Sequence, residues 1–255
     1  MVDAHVSCKT VYSDSGRVHD IPRRGWLMRM KWHDLLFMHW KVDFAALRAQ
    51  IPESLEIDTF DGEAWIGLVP FRMSGVSPRF VPDVPWMSRF PELNLRTYVV
   101  ADDKPGVWFF SLDATNPLAV RGARSLFHLK YMDAKIDFQR KDNWIHYSSV
   151  RTHRNEPPAE LKVEYRPIGK EYSTTPGTLE HWLTSRYCLY SASKSGNVYR
   201  GEIDHPEWKI RDGQAIVHTN TMTNGLGIDL PDDEPVLHFA SRTDVVAWGL
   251  ERVGS

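Results

Sequence analysis

The stretch "FPELNLRTYVV", Phe90–Val100, alternates polar and apolar residues and predicts a β-strand. Every second side chain of a strand points to the same face, at intervals of roughly 6 to 7 Å. One face of this strand therefore carries Glu92, Asn94 and Arg96. An exposed face usually carries several interchangeable charges, whereas this face offers one acid, one amide and one guanidinium group. The pattern favours a face that lines a cavity, and it leaves open an ordinary face in contact with water.

Segments typical of strands continue on both sides of this stretch and are separated by turn signals. The dipeptide Asp61-Gly62 suits the positive φ angles of a tight turn and predicts a hairpin between "LEIDTF" and "EAWIGLVPFRM". The sequences "DDKPG" and "KDN" predict two further turns, at residues 102–106 and 141–143. Most neighbouring strands are therefore expected to run antiparallel.

Helix signals are few by comparison. "DFAALRAQIP" has Asp43 as its N-cap, "NPLAVRGARSLFHL" begins at Asn116, and "TLEHWLTSRY" begins at Thr178. Many strands with two or three peripheral helices predict a mainly β (α+β) fold, an antiparallel sheet or closed barrel with the helices outside. The composition does not break along the chain, so we expect a polar N-terminal extension over residues 1–25 and a single domain over residues 26–255.

Composition and charge exclude several classes of partner. The net charge is −2 and the basic residues are scattered, so no nucleic-acid partner is expected. The N-terminus lacks the apolar core of a signal peptide, and no apolar run is long enough to span a membrane. The two cysteines, Cys8 and Cys188, form no Cys-x-x-Cys pair, which favours a reducing compartment. We expect a cytoplasmic protein without a membrane partner, and the sequence is compatible with a homo-oligomer.

Familiar cofactor and metal motifs are absent from the sequence. It contains no His-Glu-x-x-His, no Gly-x-Ser-x-Gly, no phosphate-binding loop and no Gly-x-Gly-x-x-Gly, so we expect no cofactor. The 11 histidines are dispersed without a His-x-His pair, so we expect no metal site. A metal site assembled across strands stays open.

Two neighbouring strands also have one polar and one apolar face. On residues 107–114, strict alternation places Ser111 with Phe109 and Asp113. On residues 131–138 the mixed face carries Tyr131, Asp133, Lys135 and Asp137. We expect this face and that of Phe90–Val100 to look into one enclosed space, with Ser111 and Tyr131 as ligand-binding residues.

Several long motifs, in the same order and with the same gaps, resemble a known family. They are "WHDLLFMHWKVD", "LEIDTFDGEAWIGLVPFRM", "FPELNLRTYVV", "GVWFFSLDATNPLAVRGARSLFHLKY" and "LHFASRTDVVAWGLERV", and they cover roughly residues 26–253. The chain resembles the YqjF-like family of uncharacterised conserved bacterial proteins, a domain of unknown function. That family is related in fold to acetoacetate decarboxylase. The resemblance implies a closed, cone-like antiparallel β-barrel with peripheral helices and an interior pocket.

The resemblance also bears on catalysis. In the decarboxylases a glutamate on the equivalent strand lies near the substrate, and Glu92 matches it. They also carry a Schiff-base lysine just after the helix equivalent to residues 117–128. Here "SLFHLKYMDAK" places Tyr131 and Met132 where that lysine would stand, with Lys130 one residue early and Lys135 farther along the strand. The resemblance therefore does not imply acetoacetate decarboxylation for this chain.

These observations lead to a hypothesis about a small anionic ligand, a carboxylate or oxo compound. Arg96 would bind its carboxylate, Glu92 would act as acid or base, and Asn94 and Tyr131 would orient it. The Cα atoms of Glu92 and Arg96 are expected roughly 13 Å apart, so we expect an ionised Glu92 and a ligand that bridges the two. Three alternatives stay open: an enzyme that forms no Schiff base, a non-catalytic binding protein, and a structural Glu92–Arg96 ion pair.

Overall fold

Thirteen β-strands account for most of the regular structure in the computed structural model, which describes residues 17, 19–81, 88–116 and 127–254. The strands are β1 (Met28–Val42), β2 (Glu56–Ile57), β3 (Ala64–Pro78), β4 (Phe90–Ala101), β5 (Lys104–Ala114), β6 (Tyr131–Lys141), β7 (Trp144–Arg151), β8 (Glu160–Ser173), β9 (Cys188–Ala192), β10 (Val198–Asp204), β11 (Lys209–Asn220), β12 (Val236–Ala247) and β13 (Glu251–Arg252). The prediction of a mainly β fold is confirmed.

Two short α-helices lie where the capping residues predict them. In α1 (Phe44–Arg48) the Asp43 side chain accepts a hydrogen bond from the Ala46 amide at 2.8 Å. In α2 (Leu179–Thr184) Thr178 is the N-cap. The helix predicted from Asn116 falls mostly on residues 117–126, outside the described ranges. No helix in those ranges is long and apolar enough to cross a membrane.

Two of the predicted turns join antiparallel neighbours. Asp102 and Asp103 connect β4 to β5 with φ angles of 51° and 57°. Asp142 and Asn143 connect β6 to β7 with φ angles of 49° and 66°. Aspartate and asparagine tolerate this left-handed conformation better than most residues, which is why two-residue hairpin turns select them.

The third turn does not form the predicted hairpin. Asp61 and Gly62 have positive φ angles of 51° and 80°, but only one isolated bridge, Phe60 to Glu63, spans the turn. β2 pairs instead with β4. The hairpin prediction was wrong because β3 pairs with β1 along one edge and with β4 along the other, which leaves no free edge for β2.

All thirteen strands form one sheet, in the order β13-β10-β9-β5-β6-β7-β8-β11-β12-β1-β3-β4-β2. Two further pairings, β4 with β5 and β10 with β12, close this sheet on itself. The first pairing completes a circuit of nine strands and the second a circuit of seven. Both circuits contain β12, β1, β3, β4 and β5, which we call the shared wall. The sheet is therefore closed, but as two joined circuits rather than one simple barrel.

The sheet is also mixed, whereas the sequence predicted an antiparallel one. β5 runs parallel to both β6 and β9. Parallel neighbours need a crossover connection of about a dozen residues or more. Residues 115–130 separate β5 from β6, so the chain has room to return to the same end of the sheet before β6 begins.

The shared wall explains why the polar face of β4 is not in contact with water. Leu93 and Leu95 belong to a core that also contains side chains of β7 and β8. Glu92, Asn94 and Arg96 point to the other circuit. Every residue from position 92 to position 99 is buried. Both faces of this strand lie inside the protein, so its charged residues need partners or a ligand.

A β-bulge in β5 changes which of its residues share a face with the polar residues of β4. Leu95 pairs with Ser111 and Arg96 pairs with Phe109, so Phe110 is an extra residue opposite β4. Beyond the bulge the alternation is reversed. The Leu112 side chain, opposite Asn94, therefore points to the same side of the sheet as the polar residues of β4. The Ser111 side chain points to the other side.

Candidate functional site

A cavity of about 400 Å³ lies inside the seven-strand circuit. Every strand of that circuit contributes to its lining, and most lining residues are apolar. The polar members are Glu92, Asn94, Arg96, Asn116, Tyr131, Thr184, Arg186 and His205. Cavities of this size are typical of small-molecule sites. Four of the five residues predicted to act on a ligand, Glu92, Asn94, Arg96 and Tyr131, are thus brought together.

A larger groove of about 690 Å³ lies elsewhere, beside Asp34, Arg140, Arg166 and Arg211. It is more open to solvent, and its buried carboxylate, Asp34, already forms ion pairs with Arg72 and Arg140. The smaller cavity is better placed to be the functional site because its polar groups are buried and incompletely paired.

Glu92 is a carboxylic acid held in an apolar environment. Tyr131 donates a hydrogen bond to Glu92 Oε2 at 3.1 Å, and Glu92 Oε1 has no partner among the described residues. Burial raises the pKa of Glu92 to about 8; the Tyr131 hydrogen bond opposes this shift and the charge of Asp113 adds to it. Glu92 is therefore protonated at neutral pH, and the expectation of an ionised Glu92 was wrong because sequence patterns do not report burial.

Two arginines line the cavity. Arg96 donates from Nη2 to the Leu183 carbonyl at 3.2 Å, while its Nε has no partner within the described ranges. Arg186 forms an ion pair with Asp58 through Nη1 and donates from Nε to the Trp182 carbonyl, while its Nη2 is likewise unpaired. Each buried guanidinium group thus keeps one N–H without a hydrogen-bond partner in the described ranges.

The position of His39, close to Arg96, depends on a glycine in the strand between them. Gly67 pairs with both His39 and Arg96, and a Cβ atom there would lie 2.8 Å from His39 Cδ2. Tyr98 and His39 are hydrogen-bonded at 2.7 Å beside it. Burial, with the positive charge of Arg96, holds the pKa of His39 well below its ordinary value. His39 is therefore neutral and adds no charge next to the arginine.

Ser111 does not line the cavity. Its hydroxyl donates to Asp113 Oδ2 at 2.9 Å and accepts from Arg151 at 2.8 Å. Arg151 also forms a buried ion pair with Asp113 at 2.7 Å. The bulge at Phe110 places this network on the face opposite the cavity, and a bulge has no clear signature in the local sequence.

The mixed face of β6 enters the cavity only at its first residue. Tyr131 is buried there, whereas Lys135 and Asp137 are exposed and Asp133 is half-buried. The expectation that this whole face looks into the enclosed space was wrong, since β6 belongs to the nine-strand circuit and reaches the cavity only with Tyr131, at its start.

Sequence reasoning missed Arg186. It lies in "TSRYC", just after α2, where nothing distinguishes it from an ordinary surface arginine. Its partner, Asp58, is 128 positions away in the sequence. Only the folded chain shows that a second guanidinium group reaches the cavity.

One group outside the cavity has the composition of a metal site. Ligand atoms of His19, Cys188 and Glu202 lie within 4.8 Å of one another. The Glu202 carboxylate already pairs with Lys104 at 2.6 Å and with Arg17 at 3.4 Å. Burial raises the pKa of the Cys188 thiol to about 12. The two cationic side chains, Lys104 and Arg17, and the protonated Cys188 thiol do not favour a metal ion here. The absence of a metal site stays a prediction.

Comparison with known proteins places the chain in a family. The model of the DUF2071 family, described as an uncharacterized conserved protein, matches residues 29–244. The chain belongs to this family. A relative, the uncharacterized protein YqjF of Bacillus subtilis (strain 168), is 42% identical to this DUF2071 chain over 232 residues. The match covers 91% of the chain and 95% of the relative, which confirms the resemblance inferred from the sequence.

Solved structures resemble the DUF2071 chain at low sequence identity. The enduracididine biosynthesis enzyme MppR, complexed with pyruvate, has a TM-score of 0.61 and 10% identity, with 94% of each chain covered. Acetoacetate decarboxylase from Legionella pneumophila has a TM-score of 0.62 and 14% identity, with 92% of each chain covered. At these identities the likeness establishes a shared fold and nothing about the reaction.

Proposed function

We propose that the cavity binds a small organic carboxylate that carries a second oxygen group. The observation that carries this proposal is a pair of arginines, Arg96 and Arg186, that line a largely apolar cavity and each keep one buried N–H, Nε and Nη2 respectively, without a partner in the described ranges. A guanidinium group stays charged in proteins, and a buried donor without a partner is costly. A carboxylate bound between the two arginines would supply the missing acceptors.

The charge balance of the cavity supports an anionic ligand. Asp58 compensates Arg186, whereas no acidic residue in the described ranges forms an ion pair with Arg96. Glu92 adds no negative charge at neutral pH because its pKa is about 8. The lining therefore has an excess of positive charge, which a carboxylate would neutralise.

The second oxygen group of the ligand would bind near Glu92. A protonated Glu92 can donate a hydrogen bond from Oε1, the oxygen that Tyr131 does not contact. A carbonyl or hydroxyl oxygen is a suitable acceptor. Glu92 interacts with Tyr131 rather than pairing with Arg96, so the structural ion-pair alternative lacks the contact it requires.

Acid–base catalysis on the bound ligand is a second candidate function. The pKa of Glu92, about 8, allows this group to release and regain a proton near neutral pH. Such a reaction would proceed without a Schiff base, since no lysine is among the described residues that line the cavity, and Lys130 and Lys135 are exposed. MppR has been solved with pyruvate, an oxo acid, which is consistent with this ligand class.

A matched ligand series tests the carboxylate assignment. We expect 2-oxohexanoate and hexanoate to raise the melting temperature and hexanamide to leave it unchanged, because the amide lacks the negative charge. At a ligand concentration of 100 Kd the stabilisation is about 2.7 kcal/mol, or about 5–10 °C for a chain of this length. Equal shifts with hexanamide and hexanoate would overturn the proposal.

Borohydride trapping tests the absence of a Schiff base. We expect the intact mass to remain unchanged after incubation with acetoacetate and sodium borohydride, because the exposed lysines lack the desolvated environment that activates such a group. Acetoacetate decarboxylase treated in parallel is the positive control. A stoichiometric adduct at Lys130 or Lys135 would contradict this prediction.

A further inference from the structure

We propose that the ligand is a carboxylate with an apolar tail of roughly six to ten carbons, rather than a three- or four-carbon acid. This inference rests on the proposed function and concerns the apolar lining of the cavity. The volume and the chemistry of the lining support it.

The cavity is too large for a short oxo acid. One water molecule occupies about 30 Å³ in the liquid, so about 400 Å³ holds on the order of a dozen non-hydrogen atoms. A three- or four-carbon oxo acid has only about six or seven. Protein interiors rarely leave voids larger than a water molecule, so the remaining space indicates a larger ligand.

Part of the cavity wall beside the polar strand is aromatic. Trp32, Phe37, Phe71 and Trp208 form this aromatic wall, and all four line the cavity. Trp32 stacks on Trp208 with ring centroids 6.3 Å apart, and Phe37 meets Trp208 edge-on at 5.3 Å. The indole N–H of Trp208 donates to the Thr184 carbonyl at 2.8 Å, so this ring presents an apolar surface to the cavity.

Flexible side chains continue the apolar lining. Met28, Met30 and Met73 also line the cavity. Methionine adapts to irregular shapes, which suits a flexible chain better than one rigid ring system. Such a lining is a poor site for water, because a buried water molecule needs two to four hydrogen-bonding partners and this part of the wall offers few. An alkyl or arylalkyl chain is the occupant that fits this surface.

The polar and apolar regions lie on different structural elements. Arg96 and Glu92 belong to β4, and Arg186 follows α2. The aromatic wall comes from β1, β3 and the segment just before β11. The wall begins beside the arginines, since the Phe37 ring centroid lies 5.5 Å from the guanidinium carbon of Arg96. A ligand with its carboxylate at the arginines would therefore extend its tail along the aromatic wall.

Calorimetric titration with straight-chain carboxylates tests the inference. The probes are acetate, butanoate, hexanoate, octanoate and decanoate, each below its critical micelle concentration. We expect Kd to fall about three- to fourfold per added methylene group, because each buried methylene contributes a roughly constant transfer free energy. The gain should become smaller between octanoate and decanoate, as the cavity becomes full.

The outcomes separate this inference from the proposed function. Binding of acetate and decanoate with equal affinity would overturn the apolar tail and leave the carboxylate site intact. Equal affinity for decanol and decanoate would overturn the carboxylate site and leave the apolar cavity. Binding of neither series would overturn both.

A cavity-filling variant adds a second test. Val76 lines the cavity but is only partly buried, so Val76→Phe can be accommodated more easily than a change in the fully buried core. We expect octanoate and decanoate to bind at least tenfold more weakly, with butanoate unaffected. Val150→Phe, at an exposed position of β7, is the matched control and should leave the whole series unchanged. A uniform effect of Val76→Phe on all chain lengths would contradict the inference.

Discussion

We expect Arg96→Leu to abolish the stabilisation that carboxylates are proposed to give the wild-type protein. Arg96 provides a buried cation without an acidic partner in the described ranges, together with an unpaired Nε–H. Leucine has a similar apolar stem but neither the charge nor the donor. The melting-temperature increase of about 5–10 °C expected at 100 Kd of hexanoate should fall to zero.

Two further variants make this result specific. Arg96→Lys keeps the charge but loses the planar donor array, so we expect weakened binding rather than none. Arg242→Leu, at an exposed arginine that pairs with Asp244, is the matched control and should preserve the full shift. Undiminished stabilisation of Arg96→Leu by hexanoate would mean that the anchor of the anion lies elsewhere and that β4 is only scaffold.

Glu92→Gln should change how stability depends on pH. The pKa of Glu92 is about 8 in the folded protein, compared with an ordinary value of 4.5. Between these two values the folded state holds a proton that the unfolded state has released, so the free energy of unfolding falls as pH rises. The slope is about 1.4 kcal/mol per pH unit, so this group removes about 2–4 kcal/mol between pH 5 and pH 8.

Glutamine has no proton to lose, so the free energy of unfolding of the variant should lack the fall between pH 5 and pH 8 that Glu92 causes. Denaturant unfolding at pH 5 and at pH 8 measures the free energy of unfolding of both proteins. From pH 5 to pH 8 the stability of the variant relative to wild type should increase by about 2–4 kcal/mol. Glu53→Gln, at an exposed position, is the matched control and should follow the wild-type curve. Parallel curves for wild type and Glu92→Gln would show that Glu92 is ionised throughout. If the protein catalyses a reaction, this variant should still bind carboxylates and lose turnover.

Local patterns in the sequence were sufficient for most of the described strands, for both described α-helices and for part of the site. Alternation along Phe90–Val100 correctly placed Glu92, Asn94 and Arg96 on one face, because side-chain direction on a strand has a period of two. The capping aspartate of α1 and the turns that follow β4 and β6 were also predicted, since these features depend on a few adjacent residues. Alternation also placed Tyr131 on the mixed face of residues 131–138, and it is the residue of that face that lines the cavity.

Strand pairing, by contrast, was decided by tertiary structure. The parallel neighbours of β5 and the pairing of β2 with β4 join segments that are distant in the sequence. The extra residue Phe110 moved Ser111 to the opposite face, because one inserted residue reverses the alternation beyond it.

The chemistry of the site depends on both levels. The sequence by itself determined that an acid, an amide and a guanidinium group share one face of β4, since that follows from covalent order and strand geometry. Only the tertiary structure decided that both faces of β4 are buried, that Arg186 joins Arg96, and that Glu92 is neutral. The physical reason is that burial and electrostatic environment are set by residues far apart in the chain, and these determine whether a carboxyl group keeps its proton.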